Sequence, residues 1–276
     1  MEMKVKDLMI PDPPTASEED YVYQVFKKIN EKGIGRVLVL SDGKLTGIIS
    51  TRDLIELTHS RCSSTCEKSD VYGMIYRTAK EVMTPQPQVA YEEMEPLDAL
   101  TIMVSRNFGA LPVFNSADKL TGIVTEREML LLFQDMEELF PVKRFMSRNV
   151  KTAYKEATVR DAVQMVAKRG FRRVPVTDEE GRVIGIVTAS DIVRGLGKEI
   201  TKGDPEAYLK KRLEEVMSRN VITVGPDDSV NKAAATMVME RVGSLIIPSP
   251  EGKAQGIITE RDLIIALYHQ LHLTLR

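Results

Sequence analysis

The sequence predicts an α/β protein built from four tandem copies of one small β-α-β-β-α unit, and three observations predict it. A short apolar strand that opens on glycine and runs into a polar cluster occurs four times, as Gly47-Ile-Ile-Ser-Thr-Arg-Asp53, Gly122-Ile-Val-Thr-Glu-Arg-Glu128, Gly185-Ile-Val-Thr-Ala-Ser-Asp191 and Gly256-Ile-Ile-Thr-Glu-Arg-Asp262. Each is preceded by a leading methionine, Met9, Met83, Met146 or Met217, at a near-constant 44, 45, 45 and 45 residues before the final acid. The glycines themselves are spaced unevenly, by 75, 63 and 71 residues, so a fixed unit is joined by linkers of variable length.

Taken in order, the units span residues 1–56, 83–132, 146–195 and 217–268. After a short lead strand comes a first helix with apolar residues at helical spacing, for example Val159, Ala162, Val163 and Val166 in repeat three. It is expected to end near Gly33, Gly109, Gly170 and Gly243, the usual punctuation at a helix C-terminus. A β-branched run follows, such as Arg173-Val-Pro-Val-Thr177, and turns back through residues that tolerate positive φ, Ser41-Asp-Gly-Lys44 in repeat one and Asp178-Glu-Glu-Gly181 in repeat three. The glycine-opened strand then leads into a second helix. A unit of about 45 residues buries too little surface to stand alone. Pairing is therefore expected, repeat one with two and three with four, giving modules over residues 1–135 and 140–276. The last linker contains Asp204-Pro-Glu-Ala-Tyr-Leu-Lys-Lys-Arg-Leu213, with the acidic start, early proline and basic end of a helix.

Composition narrows the function classes. Thirty-eight basic residues against forty acidic ones give a net charge of −2, without the basic excess of a nucleic-acid-binding domain. No apolar run reaches the roughly 20 residues needed to cross a bilayer, and the N-terminus lacks the apolar core of a signal peptide, so a cytoplasmic protein with no membrane partner is expected. Catalysis would need a nucleophile with its base, a carboxylate pair or an open metal site. The three histidines, His59, His269 and His272, lie outside the repeats, and neither a Walker loop nor a G-x-G-x-x-G occurs, so no enzyme and no obligatory cofactor are expected. His59, Cys62 and Cys66 form H-x2-C-x3-C, a weak metal pattern for want of a fourth ligand; a solvated linker without a disulfide framework is the expectation there.

The Met-Thr-Pro and Met-Ser-Arg-Asn openings, the middle Arg-Arg-Val-Pro-Val and the closing Gly-Ile-Val-Thr-x-x-Asp together resemble the CBS domain, over nearly the whole chain. Four copies with little else attached are similar to the γ subunit of AMP-activated protein kinase and its archaeal relatives. That resemblance implies two paired modules that can close a flat disc, and clefts between paired repeats that bind AMP, ADP or ATP for regulation. It implies a regulated protein partner or a homodimer as well. Alternatives kept open are a ligand-free scaffold and a protein that binds S-adenosylmethionine.

The site residues follow from the resemblance. In Ser50…Asp53, Thr188…Asp191 and Thr259…Asp262 the carboxylate would hold ribose hydroxyls while the Ser or Thr hydroxyl contacts ribose or phosphate. The same spacing is that of a helix capping box, and both roles can coexist. Repeat two departs from the pattern, with Thr125 followed by Glu128, and is the site expected to be empty or altered. At the helix-to-strand junction, Arg36 in repeat one and Arg172 with Arg173 in repeat three alternate with Gly109-Ala110 and Gly243-Ser244, a basic and small pairing suited to holding phosphate. The family's sister-repeat arrangement implies that Asp262 and Thr259 face Asn149, Lys151, Arg172 and Arg173, the most basic cleft. It sets Asp191 and Thr188 opposite Asn220, Ile222 and Ser244, Asp53 and Ser50 opposite Val89 and Ala110, and Glu128 and Thr125 opposite Thr15 and Arg36. Arg52, Arg127 and Arg261, one residue before each acid, are further phosphate candidates or exposed helix-start residues.

Overall fold

The computed structural model describes residues 3–138 and 140–274. The chain divides into two compact units, one of Met1–Asp12, Gln88–Val150 and Val221–Arg276, the other of Pro13–Pro87 and Lys151–Asn220. The first holds the bodies of repeats two and four with the lead segments of one and three. The second holds the bodies of one and three with the lead segments of two and four. This division differs from the chain-order grouping into residues 1–135 and 140–276, because the lead segments stay with the neighbouring repeat in sequence while the helices pack on the repeat after next.

In the one–three unit, Thr15–Ser17 runs parallel to Arg36–Ser41 with the helix Val22–Lys28 as crossover, and Arg36–Ser41 forms a hairpin with Lys44–Ser50. The fourth strand, Thr84–Pro85, comes from repeat two and pairs antiparallel through Gly47↔Pro85 and Ile48↔Thr84. Repeat three builds the same sheet from Ala153–Tyr154, Arg173–Thr177 and Val183–Thr188, with Ser218 of repeat four bridging Ile186. Its second helix, Ala189–Lys202, and its first, Val159–Arg169, pack against the second helix of repeat one, Thr51–Cys62. A single core results, to which repeat one gives Val25, Phe26, Leu54 and Ile55 and repeat three gives Val163, Val166, Ile192 and Leu196.

The two–four unit repeats the plan. Ile10–Pro11 of repeat one, Leu120–Thr125, Ala110–Phe114 and Ala90–Tyr91 form a four-stranded sheet in that order. The hairpin Ser244–Pro248 with Ala254–Thr259 is flanked by bridges Ser147↔Ile257 and Thr223↔Ile246. Helices Pro96–Arg106, Glu126–Met129, Val230–Glu240 and Glu260–Thr274 surround a second core that includes Leu100, Met103, Met129, Met237, Leu263 and Leu267.

The exchange of lead segments explains two recurring residues at once. A β-carbon added to Gly47, Gly122, Gly185 or Gly256 would lie closer than 3.0 Å to the sulfur of Met83, Met9, Met217 or Met146 respectively. Every leading methionine thus fills the notch left by a glycine in the neighbouring repeat.

Local chemistry accounts for the rest. Val159, Ala162, Val163 and Val166 are the buried residues of their helix, as the periodicity predicts, and Gly170 ends it at φ 71°. In repeats two and four that left-handed position is taken by Asn107 and Arg241, not by Gly109 or Gly243, which lie beyond the cap. The turn at Asp42 and Gly43 has positive φ at both central residues, the conformation a two-residue hairpin requires. The linker helix forms over Pro205–Leu209, capped by Asp204 accepting the Ala207 amide at 3.0 Å. The first linker departs from a solvated loop. The second helix of repeat one continues to Cys62, which is bonded to Cys66, and both cysteines are buried in the one–three core. Among the described residues no His, Cys, Asp and Glu cluster suited to a metal occurs.

Candidate ligand-binding site

Each repeat builds the same junction. The first amide of the second helix donates to a carbonyl just before the central strand, Thr51 to Gly35, Glu126 to Gly109, Ala189 to Arg172 and Glu260 to Gly243, at 2.9–3.3 Å. Across the hairpin the junction residue lies opposite the hydroxyl residue of its own repeat: Arg36↔Ser50, Ala110↔Thr125, Arg173↔Thr188 and Ser244↔Thr259. The one–three unit therefore carries an arginine beside each hydroxyl, and the two–four unit a small residue. Arg36 also donates to the Ile34 carbonyl at 3.2 Å.

All four hydroxyl–acid pairs close as helix caps. Ser50 donates from both its amide and hydroxyl to Asp53 Oδ2 at 2.7 Å; Thr188 does so to Asp191 Oδ2 at 3.0 and 2.6 Å, and Thr259 to Asp262 Oδ2 at 2.8 Å in each case. The acid's own amide returns a bond to the hydroxyl, at 3.5, 3.1 and 3.4 Å in the same order. Oδ2 is thus committed to the cap in each of the three, and in repeat three Arg194 Nη1 also donates to Asp191 Oδ1 at 3.3 Å.

Repeat two differs in detail. Thr125 donates to Glu128 Oε2 at 2.9 Å from its amide and 2.6 Å from its hydroxyl, but the returning bond comes from the Arg127 amide at 3.3 Å. Burial pushes the Glu128 carboxyl above the usual range. The helix it starts, Glu126–Met129, gives way at once to a 3-10 segment over Leu130–Asp135.

Asn149, Lys151, Arg172 and Asn220 are exposed, and Ser244 is buried. The Ile222 carbonyl accepts the Ile246 amide at 3.1 Å, which lays it along the repeat-four hairpin. Asn149, Ile222 and Ser244 share a unit with Thr259 and Asp262, whereas Lys151, Arg172, Arg173 and Asn220 share one with Ser50, Asp53, Thr188 and Asp191. Arg261 is engaged by protein: Nε pairs with Glu126 Oε1 at 2.7 Å and Nη1 donates to the Met103 carbonyl at 3.0 Å. Arg127 pairs with Glu260 at 2.8 Å. Neither is the freely exposed helix-start residue that its place in the sequence allowed. Arg52, by contrast, makes an exposed pair with Glu56 at 2.7 Å and lies beside Gly170, whose added β-carbon would be 3.3 Å from Nη1. One open hollow of about 310 Å³ in the one–three unit, lined by Thr15, Ala16, Ser17, Lys28, Leu40, Asp42 and Gly43, contains none of the four acids.

The model of one family, the CBS domain, matches residues 5–60, 79–135, 142–198 and 213–269, which together are most of the chain. The chain belongs to the CBS domain family. Each match contains one leading methionine, one hairpin and the start of the helix that follows it. Protein MJ1225 of Methanocaldococcus jannaschii is 28% identical over 248 residues, covering 86% of this chain and 88% of its own length. A 33.4 kDa protein of the ribosomal RNA operon of Thermofilum pendens is 28% identical over 279 residues, 96% of this chain and 92% of its own. Among solved structures, MJ1225, described as a candidate archaeal homologue of γ-AMPK, superposes with a TM-score of 0.81 at 24% identity over 96% of this chain and all of its own, a likeness of fold. Among the described residues no helix is long and apolar enough to cross a membrane.

Proposed function

We propose that this four-repeat CBS protein is a non-catalytic regulatory sensor of adenine nucleotides, with Asp53, Asp191 and Asp262 as ribose acids and Ser50, Thr188 and Thr259 as their hydroxyl partners. The observation that carries the reading is the recurrence, three times in register, of a hydroxyl–aspartate pair in one geometry at a strand-to-helix junction. Capping alone does not require aspartate, since glutamate serves the cap at Glu128. Ribose recognition favours the shorter acid, whose carboxylate the cap holds in a fixed orientation. Arg36, Arg172 and Arg173 supply positive charge for phosphate oxygens, with Asn149, Lys151, Asn220, Ile222, Ser244 and Thr125 as further lining residues and Arg261 as a residue that holds the repeat-four turn in place. Pairing of repeat one with two and three with four belongs to the same proposal, as do a cytoplasmic setting and a regulated partner protein or second copy. AMP, ADP and ATP share the adenosine grip and differ in phosphate count, so they shift such a sensor only through their differential affinities. The described relation of MJ1225 to γ-AMPK supports an energy-sensing role.

A second reading has an observation of its own: since all four pairs do close as caps, a ligand-free CBS scaffold is consistent with the same geometry. Calorimetric titration of the stripped protein with AMP, ADP, ATP and S-adenosylmethionine separates them. The sensor reading expects binding of an adenine nucleotide, weakened tenfold or more, about 1.4 kcal/mol, by Asp262→Asn, which keeps a capping side chain, or by Arg173→Ala. No adenosyl ligand bound by the intact protein leaves the scaffold.

A further inference from the structure

The second helices of repeats two and four share the opening Thr-Glu-Arg, in Thr125-Glu-Arg-Glu128 and Thr259-Glu-Arg-Asp262, while repeats one and three carry Ser50-Thr-Arg-Asp53 and Thr188-Ala-Ser-Asp191. In the two–four unit the shared middle residues form crossed ion pairs. Arg127 Nε meets Glu260 Oε1 at 2.8 Å, and Arg261 Nε meets Glu126 Oε1 at 2.7 Å. The glutamate side chains are 11% and 5% exposed and the arginines 35% and 22%, so the carboxylate side of each pair is shielded from solvent. Each pair ties a carboxylate of one repeat to a guanidinium of the other. Arg261 extends the link to the end of the first helix of repeat two through the Met103 carbonyl.

Each glutamate lies next to a capping hydroxyl and two residues before an acid. A displacement of the Thr259–Asp262 turn therefore carries Glu260 with it, and Glu260 holds Arg127 in the matching turn of repeat two. The one–three unit lacks this link: Thr51 and Ala189 stand where the glutamates stand, and they are buried small residues. We propose that the crossed pairs join the first turns of the two helices into one rigid element, with Glu126 and Glu260 as positioning residues, so that an adenine nucleotide held at Thr259 and Asp262 stiffens the Thr125–Glu128 turn of repeat two. The second half of this inference rests on the sensor reading; the first half does not.

Hydrogen exchange on the full chain tests the two halves separately. Without ligand, Glu260→Gln is expected to speed amide exchange about tenfold or more at residues 126–130 as well as in its own turn, because local opening is governed by the pair that both share. The charge-exchanged double variant, Glu260→Arg with Arg127→Glu, restores slow exchange at both. A rise confined to residues 260–264 overturns the proposal. The mirror variant Glu126→Gln, read at residues 260–264, decides the matter if Glu260→Gln does not fold. AMP is then added as the probe. Protection reaching residues 126–130 in the unaltered protein but not in Glu260→Gln supports transmission, and protection of the repeat-four turn alone refutes it. If AMP protects neither turn, the nucleotide reading of Asp262 fails, while the ligand-free comparison still decides whether the turns are joined.

Discussion

Gly47, Gly122, Gly185 and Gly256 each face a methionine sulfur from another repeat, so the smallest possible enlargement at any of them intrudes on a filled space. Gly47→Ala is expected to destabilise the protein by about 1–3 kcal/mol, the range for overpacking. Met83→Ala in the same chain should recover part of the loss, giving a coupling of at least about 0.5 kcal/mol in a denaturation double-mutant cycle. Both residue types stand out in the sequence as repeat markers, but their contact does not, since 36 residues separate Gly47 from Met83 and nothing local links them. Tyr208 offers a second residue-scale prediction. Its ring packs over Gly195, its hydroxyl donates to the Asp191 carbonyl at 3.3 Å, and burial, then the Asp191 charge, pushes its pKa up to about 12. The unfolded chain releases this proton near pH 10 and the folded one only near 12, so the unfolded state binds fewer protons in that window and stability falls as pH rises through it. The loss should approach about 2–3 kcal/mol. Melting curves of Tyr208→Phe should lack that fall, after an initial cost of about 1 kcal/mol for the hydrogen bond; equal alkaline sensitivity would place the titrating group elsewhere.

Among the elements, caps permit a comparison between a purely structural pair and a proposed functional one. Thr158 caps the first helix of repeat three, donating from amide and hydroxyl to Asp161 at 2.8 Å, in the same geometry as Thr188 with Asp191. Thr158→Ala and Thr188→Ala should each lower stability by about 1 kcal/mol in denaturant titrations. Only the second should weaken nucleotide binding, and equal binding by both would make Thr188 a cap alone. Helical spacing, turn residues and the hydroxyl–acid spacing made most elements legible beforehand. The exceptions have local causes. Asn107 and Arg241 adopt the left-handed cap expected of Gly109 and Gly243, because the helix ends two residues earlier than the glycine suggests. Cys62 and Cys66 sit in a polar stretch of sequence, yet the continuing helix turns Cys62 into the core and the bond draws Cys66 with it.

For the whole molecule, the chain passes between its two units at Asp12/Pro13, Pro87/Gln88, Val150/Lys151 and Asn220/Val221, so no continuous half contains a complete core. The fragment 1–135 takes Leu54 and Ile55 away from Val163 and Ile192, and Leu100 and Met103 away from Leu263 and Leu267. Prepared alone, it should self-associate or melt without a cooperative transition, as sedimentation and calorimetry would report; a monomer with a sharp melt would show that half of each core suffices. The sequence did hold a sign of this grouping in the opening Thr-Glu-Arg, shared by repeats two and four alone. Order along the chain was the more visible cue, and it tracks strands rather than helices.

The glycine notch and its methionine also bear on how a chain of this kind can grow. Adding a single repeat at either end would supply one notch with nothing to fill it and one methionine with nowhere to go. Adding two together leaves neither, because each completes the other. The heritable unit of expansion is then the couple rather than the repeat, and lineages that lengthen or shorten such a protein should keep its copy number even.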